Sequence, residues 1–175
     1  LYILNPSSLI PPLVLAPKEN EVILDLAAAP GSKTLQIAAA MKNTGKIVAI
    51  DKVRYRFYKL KANLERNGVT NTVFYNIDGI RAWMKYENTF DRVLLDAPCT
   101  TESKFIEFRE ETFHHWSLKK IKEMNRKQRQ LLYSAVRCLK PGGVLVYSTC
   151  SFAPEENEQC VDAILKKFKG QLVTD

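Results

Sequence analysis

The chain has 175 residues, 46% of them hydrophobic, a length that suits one domain burying roughly 70% of the surface its unfolded form exposes. Lys and Arg outnumber Asp and Glu by 26 to 19, and the net charge of +7 favours a polyanionic partner such as nucleic acid, although solubility alone accounts for it equally well. No apolar run approaches the ~18 residues of a membrane span, and Cys99, Cys138, Cys150 and Cys160 contain no CxxC pair, so a membrane protein, a zinc knuckle and a disulfide framework are set aside in favour of reduced thiols in a cytoplasmic compartment.

The first segment, "LYILNPSSLIPPLVLAP", is apolar but has no basic leader, and its prolines break any helix, so it reads as a strap over residues 1–20 rather than a signal peptide. From residue 22 onward, short apolar runs alternate with amphipathic helical patterns, the signature of a Rossmann-like doubly wound α/β fold with a mostly parallel sheet. The runs "VILDLAA", "KIVAIDK", "TVFYNID", "RVLLDAP" and "GVLVYSTC" are rich in Val, Ile and Leu, as buried parallel strands are. After the second run, Val53, Phe57, Leu60 and Leu64 recur at helical spacing, and Gly68 stands where a C-terminal cap belongs. Before the fifth, Ile121, Met124, Leu131, Leu132, Ala135, Val136 and Leu139 form a stripe that "KPGG" ends. A helix from about Pro154 through "DAILKKFKG" follows, and "QLVTD" reads as the start of a further strand. The whole is expected to be a single domain over 1–175 whose last strands are cut short.

In open parallel sheets, ligands bind outside the carboxyl ends of the strands, where strand order reverses. Asp25, Asp51, Asp78, Asp96 with Pro98 and Cys99, and finally Cys150 stand at successive strand ends. Any one aspartate alone reads as a cap or turn residue, but four in succession point to a shared site. In the loop "AAAPGSK", the small residues Ala27, Ala28 and Ala29, with Pro30 and Gly31, let a ligand approach the backbone, and a helix opening after Ser32 and Lys33 offers free N–H groups. Asp51 lies 20 residues beyond Gly31, the separation at which a carboxylate meets a ribose hydroxyl in mononucleotide-binding units. A dinucleotide would call for GxGxxG, and this loop has one glycine, so a nucleoside cofactor without phosphates fits better, S-adenosylmethionine first.

If the fourth and fifth strands are neighbours, ~4.8 Å apart, Cys99 and Cys150 face one small volume. Cys138 and Cys160 sit in helical patterns and read as buried small hydrophobes. A thiol in such a site suits methylation of cytosine, because carbon 5 becomes nucleophilic only after a thiolate has added to carbon 6. Asp96 is placed to help the ring nitrogen accept charge. A helix beginning near Pro154 lowers the thiol pKa through its dipole, while Glu155 and Glu156 oppose it.

The segments "NPSSLIPPLVL", "LDLAAAPGSKT", "IVAIDK", "DRVLLDAPC", "LKPGGVLVYSTCS" and "EENE" together resemble the catalytic core of the Sun-family (NOL/NOP/Sun) RNA cytosine-5 methyltransferases, most of all the bacterial RsmF-type ribosomal RNA enzymes. The resemblance covers nearly the whole chain. It implies that Ala27 to Lys33, Asp51, Asp78 and Asp96 contact S-adenosylmethionine, that Cys150 is the nucleophile, and that Cys99 assists product release. It also implies Lys33 near the methyl-transfer centre and Arg56 on a helix edge facing the cofactor. The implied substrate is RNA, ribosomal ahead of transfer RNA, handled by a cytoplasmic monomer without metal. One departure is the loop "DAPCTTESKF", in which Thr101 replaces a flexible glycine and Ser103 a later small residue; a positive φ there would strain Thr101. The other is the lack of an RNA-recognition domain, leaving Arg54, Lys59, Lys61, Lys119, Lys120 and Arg126 for phosphate contacts. His114 and His115 with Trp116 either stack on a base or pack a loop against the body. The alternatives are a DNA cytosine methyltransferase, against which Cys150 in "STCS" speaks, and a catalytically silent RNA-binding homologue.

Overall fold

A computed structural model of the chain describes residues 5–104, 109 and 116–174. Five parallel strands, β1 (Val22–Asp25), β2 (Lys46–Ile50), β3 (Thr72–Tyr75), β4 (Phe90–Asp96) and β5 (Leu139–Ser148), form one sheet in the order β3-β2-β1-β4-β5. The order reverses between β1 and β4, so the loops that follow those two strands flank the crevice where open sheets take their ligands. Fourth and fifth strands are neighbours, as expected, with Asp96 paired to Ser148 at their ends.

Strand periodicity divides the core. Ile23, Ile47 and Leu94 face one side, against Leu15, Ile37, Ala38 and Met41, while Leu24, Val48, Val93 and Leu95 face the other, against Leu131, Leu132, Ala135 and Ile164. The helices of the chain are α1 (Ile10–Leu15), α2 (Ser32–Ala40), α3 (Arg54–Arg66), α4 (Trp83–Tyr86), α5 (Leu118–Cys138) and α6 (Glu158–Lys167) among the described residues, with α3 packing Leu60 and Leu64 against Ala49 of β2. Covering both faces is what lets the strands read as unbroken apolar runs.

Several expectations change in detail. The N-terminal strap contains a 3-10 turn, Pro6–Leu9, and then α1, because Pro11 and Pro12 occupy the first turn of α1, where no N–H is required. Arg92 anchors α1 by donating to the Leu15 carbonyl at 2.7 Å. Gly68 follows the end of α3 as expected, with Asn67 as the C-cap, but Val53 is its N-cap rather than part of its buried stripe and stays 49% exposed. α5 follows its apolar stripe and is capped by Ser117, which accepts from Lys120 N at 3.1 Å. Leu139 belongs to β5 and not to α5, so "KPGG" lies inside the strand as an irregularity between the Phe90 and Arg92 pairings. A Cβ on Gly143 would stand 2.8 Å from the Asp91 carbonyl, so only glycine permits this close approach. α6 begins at Glu158, four residues after Pro154, and Leu172–Thr174 adopt no strand. No described helix is long and apolar enough to cross a membrane.

Candidate functional site

The loop after β1 is held from beneath by α3 and β2. Ala28 N donates to the Ile50 carbonyl at 2.9 Å, Asn63 donates to the Pro30 carbonyl at 2.8 Å, and Arg56 donates to the Ala29 carbonyl. Gly31, with φ +105°, turns the chain into α2, and a Cβ there would lie 3.0 Å from Leu60. Ala28 and Ala29 are buried against Ala49, Leu60 and Leu64. Their side chains therefore pack the loop onto α3, and what they offer a ligand is backbone. Pro30, Ser32 and Lys33 reach the surface.

The strand-end aspartates divide by environment. Asp51 is buried and its two oxygens accept from Ala29 N at 3.2 Å and Val53 N at 2.8 Å, tying the first two strand-end loops together. Asp78 caps the 3-10 turn Gly79–Arg81 and pairs with Lys52 at 2.6 Å. Burial works to raise its pKa, but the hydrogen bonds from Lys52 and Ile80 N and the charges of Lys52 and Arg81 hold it below the usual carboxylate range. Asp96 accepts from Lys33 Nζ at 2.5 Å and from Ser148 Oγ at 2.9 Å, so α2 and β5 fix its two oxygens. Asp25, by contrast, is 1% exposed and bonded by Thr34 Oγ1 at 2.6 Å. It sits under the site rather than in it. Burial pushes its carboxyl up to about 7 against the opposing Thr34 bond, and the Asp96 charge adds to the rise.

The cysteine pair meets as the strand order requires. Cys99 Sγ and Cys150 Sγ are 2.7 Å apart, and Cys150 N donates to Cys99 Sγ at 3.3 Å. The hydrogen bond with Cys150, followed by burial, drives the Cys99 thiol far above its ordinary pKa, so Cys99 keeps its proton at neutral pH. Cys138 and Cys160 are buried in α5 and α6, and burial lifts Cys138 to about 12. With α6 starting at Glu158, Cys150 does not stand at a helix N-terminus. The dipole argument therefore fails, and the neighbour at Cys150 is Cys99.

Sequence reasoning missed the polar scaffold around these thiols. Glu156, expected to oppose a helix dipole at Cys150, is 0% exposed and accepts from Thr100 N at 3.2 Å, Gln128 Nε2 at 2.6 Å and Thr100 Oγ1, with Ser151 Oγ at 3.1 Å. Glu102 accepts from Phe152 N at 2.6 Å, Ala153 N at 3.0 Å, Ser151 Oγ at 3.0 Å and Trp116 Nε1 at 2.5 Å. Burial works to raise the Glu102 pKa, but these bonds outweigh it and hold the carboxyl below its usual range. One signal was available: Gln128 lies in step with Met124, Leu131 and Leu132 on the apolar face of α5. Trp116 anchors the loop through Glu102; His114 and His115 lie outside the described residues. Among the basic residues, Arg54, Lys59, Lys61, Lys119 and Arg126 are exposed and Lys120 half-buried.

Thr101 does adopt the left-handed region, with φ +60°. For a β-branched residue this costs ~1–2 kcal/mol, partly offset by the ~0.5–1 kcal/mol that glycine loses to backbone entropy. Thr101→Gly is expected to raise stability by about 0.5–1 kcal/mol in a urea unfolding titration, from the difference of these two costs; a loss of stability would show that the Thr101 side chain contributes more than its strain removes.

A family model described as 16S rRNA methyltransferase RsmB/F matches residues 12–174. The chain is 51% identical over 166 residues to the tRNA (cytosine(49)-C(5))-methyltransferase of Pyrococcus abyssi, covering 95% of this chain and 53% of that protein. It is 42% identical over 178 residues to the ribosomal RNA small subunit methyltransferase F of Aeromonas salmonicida, covering 99% of this chain and 37% of that protein. The crystal structure of NSun6 from Pyrococcus horikoshii with SFG superposes with a TM-score of 0.85 at 38% identity, covering 99% of this chain and 45% of that one. The chain thus spans about half of one relative's length and little more than a third of another's. Its sheet order, its paired thiols and the match over 12–174 agree: the chain belongs to the 16S rRNA methyltransferase RsmB/F family.

Proposed function

We propose that this chain methylates carbon 5 of cytosine in RNA through a covalent adduct with Cys150. The observation that carries the reading is the meeting of Cys99 and Cys150 at 2.7 Å on neighbouring strand ends, beside Asp96 and the loop 27–31. The residues present fit S-adenosylmethionine. Asp51 and Asp78 suit ribose hydroxyls, the backbone of Ala27 to Ser32 admits a close-lying nucleoside, and the carboxylate of Asp96 suits a cationic arm. Arg56 holds that loop in shape through Ala29. S-adenosylmethionine supplies, when bound, an electrophilic methyl group.

The chain's own residues do the rest. Cys150 Sγ adds to carbon 6, the displaced electron pair moves through the ring toward N3, and the proton that the thiol gives up passes to N3. Asp96, its oxygens fixed by Lys33 and Ser148, holds that N3–H. Once carbon 5 carries the methyl group, its proton passes to solvent, the electron pair left behind re-forms the C5–C6 double bond as the C–S bond breaks, and the N3 proton returns to the Cys150 sulfur. Cys99, still protonated, hydrogen-bonds the departing Cys150 sulfur and eases release.

Ribosomal RNA is the favoured substrate, and the 51% identity to a tRNA enzyme makes transfer RNA the second reading. Thiols not joined in disulfides fit a reducing, cytoplasmic setting, and we take the working unit to be a metal-free monomer. Incubating the chain with methyl-labelled cofactor and unmodified ribosomal or transfer RNA, then digesting to nucleosides, is expected to yield labelled 5-methylcytidine from one of the two pools. Label in neither, with cofactor bound, would support the catalytically silent RNA-binding reading instead.

A further inference from the structure

We infer that Glu156 and Gln128 are positioning residues that set the separation of the two site cysteines, an inference that rests on the methyltransferase reading for its catalytic consequence alone. The sheet cannot set that separation. The last ladder pair of β4 and β5 is Asp96 with Ser148, closed by Ala97 N to the Ser148 carbonyl at 2.8 Å, and past it Ser103 N donates to the Cys150 carbonyl at 3.0 Å. That bond and those that Glu102 accepts from Phe152 N and Ala153 N tie residues 102–103 to residues 150–153, and residues 98–100 around Cys99 need other support.

Glu156 supplies it. Its Oε1 lies against the hydroxyls of Thr100 and Ser151, the residues that directly follow Cys99 and Cys150, and those hydroxyls are 3.2 Å from one another. Its Oε2 accepts from Thr100 N and from Gln128 Nε2. The same Gln128 amide donates to the carbonyl of Pro98 at 2.9 Å, so α5 grips the residue before Cys99 while Glu156 grips the residue after it. Thr100, Gln128, Ser151 and Glu156 are all buried. A buried carboxylate is costly unless its acceptors are filled, and here two oxygens meet three donors, Thr100 Oγ1, Thr100 N and Gln128 Nε2, with the one Ser151 proton shared with Glu102. The cost fixes the geometry, because any parting of the two loops leaves the charge undersatisfied in a dry interior.

Substitution chemistry separates positioning from plain packing. In Glu156→Gln the side-chain oxygen can still accept from Thr100 N and Gln128, and its new NH2 can donate to the two hydroxyls, which rotate to accept it. Glu156→Ala removes every bond. Gln128→Leu keeps the apolar packing of α5 but releases Pro98 and half of Glu156.

The test reads the cysteines directly. The chain and its variants are treated with diamide, which takes two electrons and two protons from a thiol pair to give a disulfide and is itself reduced to the hydrazine. Non-reduced peptide masses then follow the Cys99–Cys150 link with time. Thiols held at contact distance have a high effective concentration, so Glu156→Ala is expected to slow linking by about tenfold or more and Gln128→Leu by about threefold, with Glu156→Gln near the parent rate. In methyl transfer, Glu156→Ala is expected to lower kcat by about 100-fold with KM for the cofactor unchanged, and Glu156→Gln to recover most of it. Linking at the parent rate in folded Glu156→Ala would overturn the inference. Should that variant fail to fold, an unchanged linking rate in Gln128→Leu would overturn it instead. A parent chain that links as expected but transfers no methyl group removes the methyltransferase reading and leaves the clamp standing.

Discussion

Cys150→Ala is expected to abolish methyl transfer to RNA, with a fall of more than about 10⁴-fold, because removing the nucleophile removes the step that makes carbon 5 reactive. Cofactor binding should be kept, since the loop 27–31 is held by Ile50, Asp51, Arg56 and Asn63. Cys99→Ala is expected to behave differently. It leaves Cys150 able to add to the ring but deprives the departing sulfur of the neighbouring S–H at 2.7 Å, so a covalent RNA–protein adduct should accumulate. A denaturing gel with end-labelled RNA reads both outcomes. A retarded band in Cys99→Ala and none in Cys150→Ala supports the assignment; the opposite pattern would exchange the roles of the two thiols.

Asp25 is expected to dominate the pH dependence of stability. Its folded carboxyl titrates at about 7 against 3.8 for the ordinary group, with burial as the main cause. A raised carboxyl pKa means that the folded state holds a proton the unfolded state gives up. Stability is therefore unpenalised below about pH 4, falls as pH rises through the interval in which only the unfolded chain is ionised, and levels off above about pH 7, for a total of about 4 kcal/mol. Asp25→Asn keeps a carbonyl oxygen for Thr34 Oγ1 and cannot ionise. Urea titrations at pH 5 to 8 are expected to show the variant gaining on the parent as pH rises, by about 2–3 kcal/mol over that range. A difference that does not change with pH would place the Asp25 titration outside this range. Glu102 works in the opposite sense: its lowered pKa stabilises the loop above the ordinary glutamate range and is lost as pH falls through the folded value.

Much of the site was legible residue by residue. The alternation of apolar runs located β1 to β5, and the polar residues ending those runs located the crevice, because a parallel sheet delivers the carboxyl ends of its strands to one edge. Cys99, Cys150 and Asp96 could be grouped because they terminate strands that the connection rules make neighbours. Lys33 came from the resemblance, and the structure supplies its partner, Asp96 at 2.5 Å.

Other features were decided only in three dimensions. Asp25 and Asp51 look alike at their strand ends, yet one is sealed beneath the site with a raised pKa and the other accepts one loop N–H on each oxygen and keeps lone pairs for a ligand. Glu156 in "EENE" has the composition of a solvated helix start and is instead fully buried. Val53 has the spacing of a core residue and lies exposed at the rim. The physical reason is the range of the forces involved. Periodicities of 2 and 3.6 are properties of neighbouring residues and survive in any reading of the chain. Whether a carboxylate is dry, and which donors fill it, depends on loops that the sheet order brings together across 28 to 56 residues, as Gln128 and Thr100 are brought to Glu156. The sequence by itself determined the sheet, its crevice and the two thiols that face each other there; only the tertiary structure decided which charges are buried around them and what holds those thiols in contact.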